Sequence, residues 1–177
     1  MTRQVALLRG VNVGGRNTLP MAPLREAVTA AGYTDVRTHL QSGNVVFTTK
    51  VAPARSAKAV SSLIAEKFGL TIPVVVRTAE ELAAVVSGNP LPEAVAEPAR
   101  FLITFLSAAP APEVVAAIDP AKYAPDVVRV RGREVYLYLP GGIRDSKLAA
   151  LRWDRSGLVA TGRNWNTVLR LLEMAAG

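Results

Sequence analysis

The order in which short aliphatic runs and helical stripes alternate along residues 1–77 constrains this chain more than any other feature. Arg3 to Val11 is a short aliphatic run ending in a glycine-rich loop, the pattern of a buried strand. A helix is expected from about Pro20, where Leu24, Ala27, Val28 and Ala31 recur at helical spacing before Gly32. Val36 to Leu40 and Val45 to Thr49 form a hairpin about the turn-forming set Gln41-Ser42-Gly43-Asn44. Arg55 to Phe68 carries a second helical stripe that stops at Gly69, and Ile72 to Val76 reads as the next strand. Strand, helix, strand, strand, helix, strand is the split βαββαβ order of a ferredoxin-like unit.

Ala79 to Ser87 adds a helix, and Asn89 to Pro98, with its three prolines, reads as a linker. The order then begins again. Arg100 to Leu106 is a strand, Pro112 to Ile118 a helix, and Val127–Val130 with Val135–Leu139 a hairpin around Gly132. A short helix near Ser146–Arg152 and a strand near Leu158–Thr161 complete the second copy. Asn164 to Ala175 is a terminal helix with Val168, Leu169 and Leu172 on one face. The expected fold is therefore α+β: duplicated ferredoxin-like halves at residues 1–88 and 99–177, with antiparallel sheets, a linker at 89–98 and a C-terminal helix.

This topology turns separated loops into clusters. Strands 1 and 2 of such a unit run parallel with strand 3 between them, which brings the loop after the first strand to the end of the sheet that holds the hairpin turn. Asn12–Asn17 is thereby expected beside Gln41–Asn44, and Pro140–Asp145 beside Thr161–Asn164.

Composition excludes several kinds of chemistry. With no cysteine there is neither disulfide nor thiolate, and the single histidine, His39, cannot supply a multi-histidine metal centre, so no cofactor is expected. No run approaches the roughly 18 apolar residues of a membrane span, and a cytoplasmic chain without membrane contact is expected. The net charge of +7 divides as +6 over residues 1–60, −4 over 61–126 and +5 over 127–177. Such asymmetry suits an anionic partner, whether a small phosphorylated or nucleotide-like ligand or a nucleic acid.

The loops supply residue types for that role. Gly14 and Gly15 permit close backbone approach, Asn12 and Asn17 donate and accept, and Arg9 or Arg16 can pair with an anion. Asn44 and the Arg163-Asn164-Trp165-Asn166 stretch repeat the amide and arginine theme. The surplus of amides beside glycines favours a ligand site over plain turns, though Asn164 also suits a helix cap and Trp165 a packing anchor. On this reading Arg9→Ala or Asn12→Ala abolishes binding at little cost in stability. No nucleophile is paired with a base: His39 lies in a strand, and Ser42 sits in a turn. The residues name no reaction. Two other classes stay open, a non-catalytic nucleic-acid binder and a protein-interaction module, monomeric or homodimeric. Aromatics at 6% are too sparse for base stacking on a sheet.

The segments ALLRGVNVGGRNTLPM, HLQSGNVVF and TGRNWNTV, in this order, resemble a bacterial domain-of-unknown-function family, number sixteen-ninety-seven. The resemblance implies two ferredoxin-like halves and carries no established activity. The family's polar motif positions fall on Arg9, Asn12, Gly14, Gly15 and Asn17, on Gln41, Ser42, Gly43 and Asn44, and on Arg163, Asn164, Trp165 and Asn166. Where the family often has a threonine before the arginine, this chain has Gly162, which removes any hydroxyl role there.

Overall fold

A computed structural model describes residues 1–177, the side chain of Ser156 excepted. The elements run β1 (Thr2–Leu8), α1 (Met21–Ala30), β2 (Thr34–His39), β3 (Asn44–Thr49), α2 (Pro53–Phe68), β4 (Val74–Thr78) and α3 (Ala79–Ser87). After two short 3-10 helices follow β5 (Phe101–Leu106), α4 (Pro112–Ala116), β6 (Val127–Arg131), β7 (Glu134–Tyr138), β8 (Ala160–Asn164) and α5 (Trp165–Ala176). The strands form two four-stranded antiparallel sheets of matching order, β2-β3-β1-β4 and β6-β7-β5-β8. The chain is thus mixed α+β. It divides into two compact units, Met1–Ala84 with Arg170–Gly177, and Val85–Leu169.

In the first unit, Ala6, Leu8, Val45, Phe47, Val74 and Val76 alternate along three strands and meet Leu24 and Val28 of α1 and Val60 and Ile64 of α2. Tyr33 packs edge-on to Phe47, with ring centroids 4.8 Å apart. The alternate residues Val5, Leu7, Val46 and Val75 are buried as well, so β1, β3 and β4 leave neither face in water. Stops follow local chemistry. Gly69 caps α2 at φ +67°, donating to the Ala65 carbonyl, and α3 opens with a reciprocal box in which the Glu81 N–H donates to Thr78 Oγ1 and the Thr78 N–H to the Glu81 carboxylate. In the second unit, Leu106, Val135, Leu137, Leu139, Leu148 and Trp153 form one cluster. Trp165 stacks on Phe101 at 4.9 Å, which makes it the packing anchor of α5.

Several boundaries differ from the sequence-based expectation for identifiable reasons. β1 ends at Leu8 rather than Val11 because Gly10, at φ +67°, turns the chain away. β4 begins at Val74 rather than Ile72 because Pro73 has no N–H to give the ladder. The helix expected over 146–152 is absent: Ser146 Oγ accepts from the Ala149 N–H and the Leu151 N–H reaches only the Leu148 carbonyl, leaving turns and a 3-10 helix at Trp153–Ser156. Gly162, Arg163 and Asn164 lie within β8, which starts at Ala160, and not in a loop. α4 stops at Ala116, short of Asp119-Pro120, and α5 buries Val168, Leu171 and Met174, with Leu169 and Leu172 at the margin.

Two expectations follow. Phe47→Ala empties a fully buried site and is expected to cost about 3–5 kcal/mol in urea unfolding; a loss below about 1 kcal/mol would mean the core closes over the gap. Tyr136, 2% exposed, donates to the Val85 carbonyl at 2.8 Å. Burial first, then Glu134, pushes its ionisation up to about 12, with Arg131 opposing. Its contribution is therefore intact below about pH 10, the unfolded tyrosine value, and is lost between pH 10 and 12. Tyr136→Phe should flatten the stability profile over that interval, and an unchanged alkaline limb would contradict this.

Candidate functional site

β1 and β2 run in one direction with β3 between them, and Leu7 pairs with Asn44, so the loop after β1 and the β2–β3 turn share one end of the first sheet. The structure does bring Asn12–Asn17 to Gln41–Asn44. It also shows what the amides hold. Asn12 Nδ2 donates to the carbonyls of Leu19 (2.9 Å) and Gln41 (2.7 Å), and its Oδ1 accepts from the Leu19 N–H at 2.8 Å. Asn17 Nδ2 donates to the Gly10 carbonyl at 3.0 Å. Buried Asn44 donates to the His39 carbonyl at 2.7 Å and to Ser42 Oγ at 3.2 Å. Between Asn12 and Asn17 the chain is a miniature hairpin: the Asn12 N–H meets the Asn17 carbonyl, and Val13 bridges Arg16.

The reason for asparagine lies in the backbone. Asn12 and Asn17 sit at φ +54° and +49°, a left-handed region that asparagine tolerates better than most residues, and Gly14 and Gly15 make the tip at +55° and +74°. Gly43 is fixed by space as well as by its φ of +87°. A Cβ there would stand 2.6 Å from Val11 Cγ2 and 2.9 Å from Leu8 Cβ. Its carbonyl accepts from the Leu8 N–H at 2.9 Å, extending the sheet into the turn. Gly14 and Gly15 stand well ahead of α1, whose first turn begins after Pro20, so they form no helix-terminus anion cradle. Arg9 is half-buried, Arg16 exposed, and the Arg9 N–H donates to the Pro73 carbonyl at 3.0 Å. His39 is half-buried, and burial foremost, with the Arg170 charge, lowers its pKa from the ordinary value.

The second group lies in the other unit. Arg163, 7% exposed, donates to Thr161 Oγ1 and to the Gly162 carbonyl, both at 2.8 Å, and burial pushes it down to about 10, so it remains a cation at neutral pH. Asn164 caps α5 by accepting the Thr167 N–H at 2.9 Å, whereas Asn166 is exposed on the helix surface.

A pocket of about 300 Å³ opens in the second unit, between Lys122–Asp126 and the segment from Gly141 to Lys147. The β6–β7 hairpin creates it, since one segment enters β6 and the other leaves β7. Ser146, nearly buried, donates to the Asp126 carboxylate at 2.6 Å and accepts from the Ala149 N–H at 3.0 Å, pinning one wall to the other. Ala124-Pro125 is a cis peptide in that wall. Lys122, Lys147 and Asp145 are exposed at the rim, and Gly142, at φ +88°, shapes the floor loop. The sequence marks the Pro140–Asp145 loop through its glycine pair; its partner segment carries no motif, and only the hairpin pairing joins the two. Among the described residues no group of three His, Asp or Glu side chains could hold a metal ion, and no helix is long and apolar enough to cross a membrane.

A family model described as Protein of unknown function (DUF1697) matches residues 1–136. The chain belongs to the DUF1697 family. The matched residues hold the first two motifs, around Asn12 and Gly43, and the third, at Thr161–Val168, lies beyond them. A solved structure of a conserved bacterial protein, SP0830 from Streptococcus pneumoniae, is similar to this DUF1697 chain. Its TM-score is 0.76, at 21% identity over 98% of each chain, a likeness of fold. No curated protein matches in sequence.

Asn12 joins two loops by pairing with both the N–H and the carbonyl of buried Leu19 and with the exposed Gln41 carbonyl. Asn12→Ala is therefore expected to cost about 1–3 kcal/mol in denaturant unfolding, reversing the sequence-based expectation of little cost. An unchanged midpoint would show that the loops stand without it.

Proposed function

We propose that this DUF1697 protein binds a small polar molecule bearing a carboxylate or phosphate in the pocket at Lys122–Asp126 and Gly141–Lys147. One observation carries the reading: two lysines, a glycine-pair loop and a hydrogen-bonded serine converge on a concave site, whereas the amides of the Asn12 and Asn44 loops are occupied by backbone. Lysine attracts an anion as a point charge, and the pocket volume is at the lower end of the range for small-ligand sites. Asp126 is engaged by Ser146, while Asp145 can accept from a donor on the same ligand. The part of the ligand held there thus carries an anionic end and a donor. Arg9, Arg16 and the Gly14-Gly15 tip remain a secondary surface for anions in the first unit. The protein acts in the cytoplasm on this reading, as a monomer or homodimer.

The same reading takes the two units as ferredoxin-like duplicates joined through residues 89–98. Support comes from register. Arg77 pairs with Val5 and Arg163 with Ile103 in corresponding strands, both arginines are buried, and each is followed by a residue, Thr78 or Asn164, that caps the next helix. The β7–β8 connection, turns in place of a helix, is where the second copy departs, and the pocket forms there.

Thermal shift against inorganic phosphate, phosphorylated sugars and nucleotides, amino acids and short RNA tests the site. A ligand at 100 times its dissociation constant adds about 2.7 kcal/mol, roughly 5–10 °C for a chain of this size. The Lys122→Ala/Lys147→Ala double variant should lose that shift while keeping its own melting temperature. A shift retained in the double variant would place the ligand elsewhere, and a response to RNA alone that fades with salt would mean general phosphate attraction.

A further inference from the structure

We propose that the anion taken by this pocket is the C-terminal carboxylate of an extended acidic peptide, which adds to β6 as a fifth strand of the second sheet. The inference rests on the pocket reading above and names its ligand. β6 is one of the two outer strands of the order β6-β7-β5-β8, and its ladder runs to β7 alone among the described residues; the other, β8, carries Gly162 in its middle. β6 is also a well-formed edge. Val127–Arg131 contains neither proline nor glycine and pairs through five residues without a break. β2, its counterpart at the edge of the other sheet, is spoiled for pairing by a register shift between Thr34 and Arg37 and by Asp35 at φ +51°.

Direction supplies the link to the pocket. Lys122–Asp126 lead directly into Val127, and the segment from Gly141 to Lys147 follows β7, so the pocket lies at the start of β6. A strand laid antiparallel to β6 therefore runs from the Arg131 end towards the pocket and delivers its C-terminus there. Lys122 and Lys147 then face a terminal carboxylate, the charge that main-chain addition alone does not select. Side-chain selection comes from Arg129 and Arg131, which are exposed at alternate positions and so project to the same side of the edge. Arg129 also donates to the Val128 carbonyl and Arg131 to the Gly88 carbonyl, and each guanidinium retains further N–H donors. Acidic residues are expected two and four places before the peptide residue paired with Val127. The arginines disfavour a second copy of β6 as the occupant, since antiparallel self-pairing centred on Arg129 would set that residue against its own copy.

The test is fluorescence polarisation of a labelled heptapeptide of alternating glutamate and valine, with a free C-terminus or an amide, against the full chain. The free acid is expected to bind about tenfold or more tightly than the amide. Lys122→Ala/Lys147→Ala should erase that difference. Arg129→Glu should weaken the glutamate peptide and favour a lysine–valine counterpart, and binding should slow amide exchange across residues 127–131. Equal binding of acid and amide, or slowed exchange confined to other strands, would overturn the proposal. If inorganic phosphate or a metabolite fills the pocket and no peptide binds, the peptide proposal fails while the pocket reading stands. If nothing binds, both fail.

Discussion

The first unit depends on the junction of Asn12, Gly43 and the end of β1. β1 is paired on both sides, by β3 and β4, and its last residues must leave the sheet without exposing unpaired backbone. The Leu8 N–H goes to the Gly43 carbonyl, the Arg9 N–H to the Pro73 carbonyl, and Asn12 satisfies Leu19 and Gln41 together. Gly43 fits because only the lack of a Cβ lets the turn lie against Leu8 and Val11. One amide and one glycine thus connect the β1 loop, the hairpin turn and the entry to α1. The polar motif that draws the eye in the sequence is a fastening in the fold.

Much of the fold was legible because its punctuation is local. Gly32 and Gly69 stop helices where the stripes end, Thr78 and Glu81 start α3, and Asn164 caps α5. What was not legible depends on partners distant in sequence. The helix expected over Ser146–Arg152 does not form because that segment's shape is set by Ser146 bonding Asp126 twenty residues back and by Leu148 and Trp153 turning into the core. The pocket escapes a sequence reading for the same reason, because its two walls become neighbours only when β6 and β7 pair.

The amides show how composition can mislead about function. Asparagine and glycine gather both at ligand sites and wherever the backbone must turn left-handed, and the positive φ at Asn12 and Asn17, with their bonds to Leu19, Gln41 and Gly10, gives these two a conformational role. Arg163 makes the same point for charge: a residue counted towards an anion-binding surface is 7% exposed and bonded to its own strand. Net charge thus overstates what the surface offers. Lys122 and Lys147, which carry no motif, are exposed at a concavity and are the better candidates.

The central claim is that the anion site lies in the second unit and the asparagine loops are structural. An amide-resolved NMR titration with inorganic phosphate tests it most directly. The account predicts saturable shifts at Gly141, Gly142, Ser146 and Lys147, with Asn12 and Gly43 unmoved and any response at Gly14 and Gly15 weaker than at the pocket. Saturable shifts centred on residues 12–17 and 41–44, with the pocket silent, would contradict it.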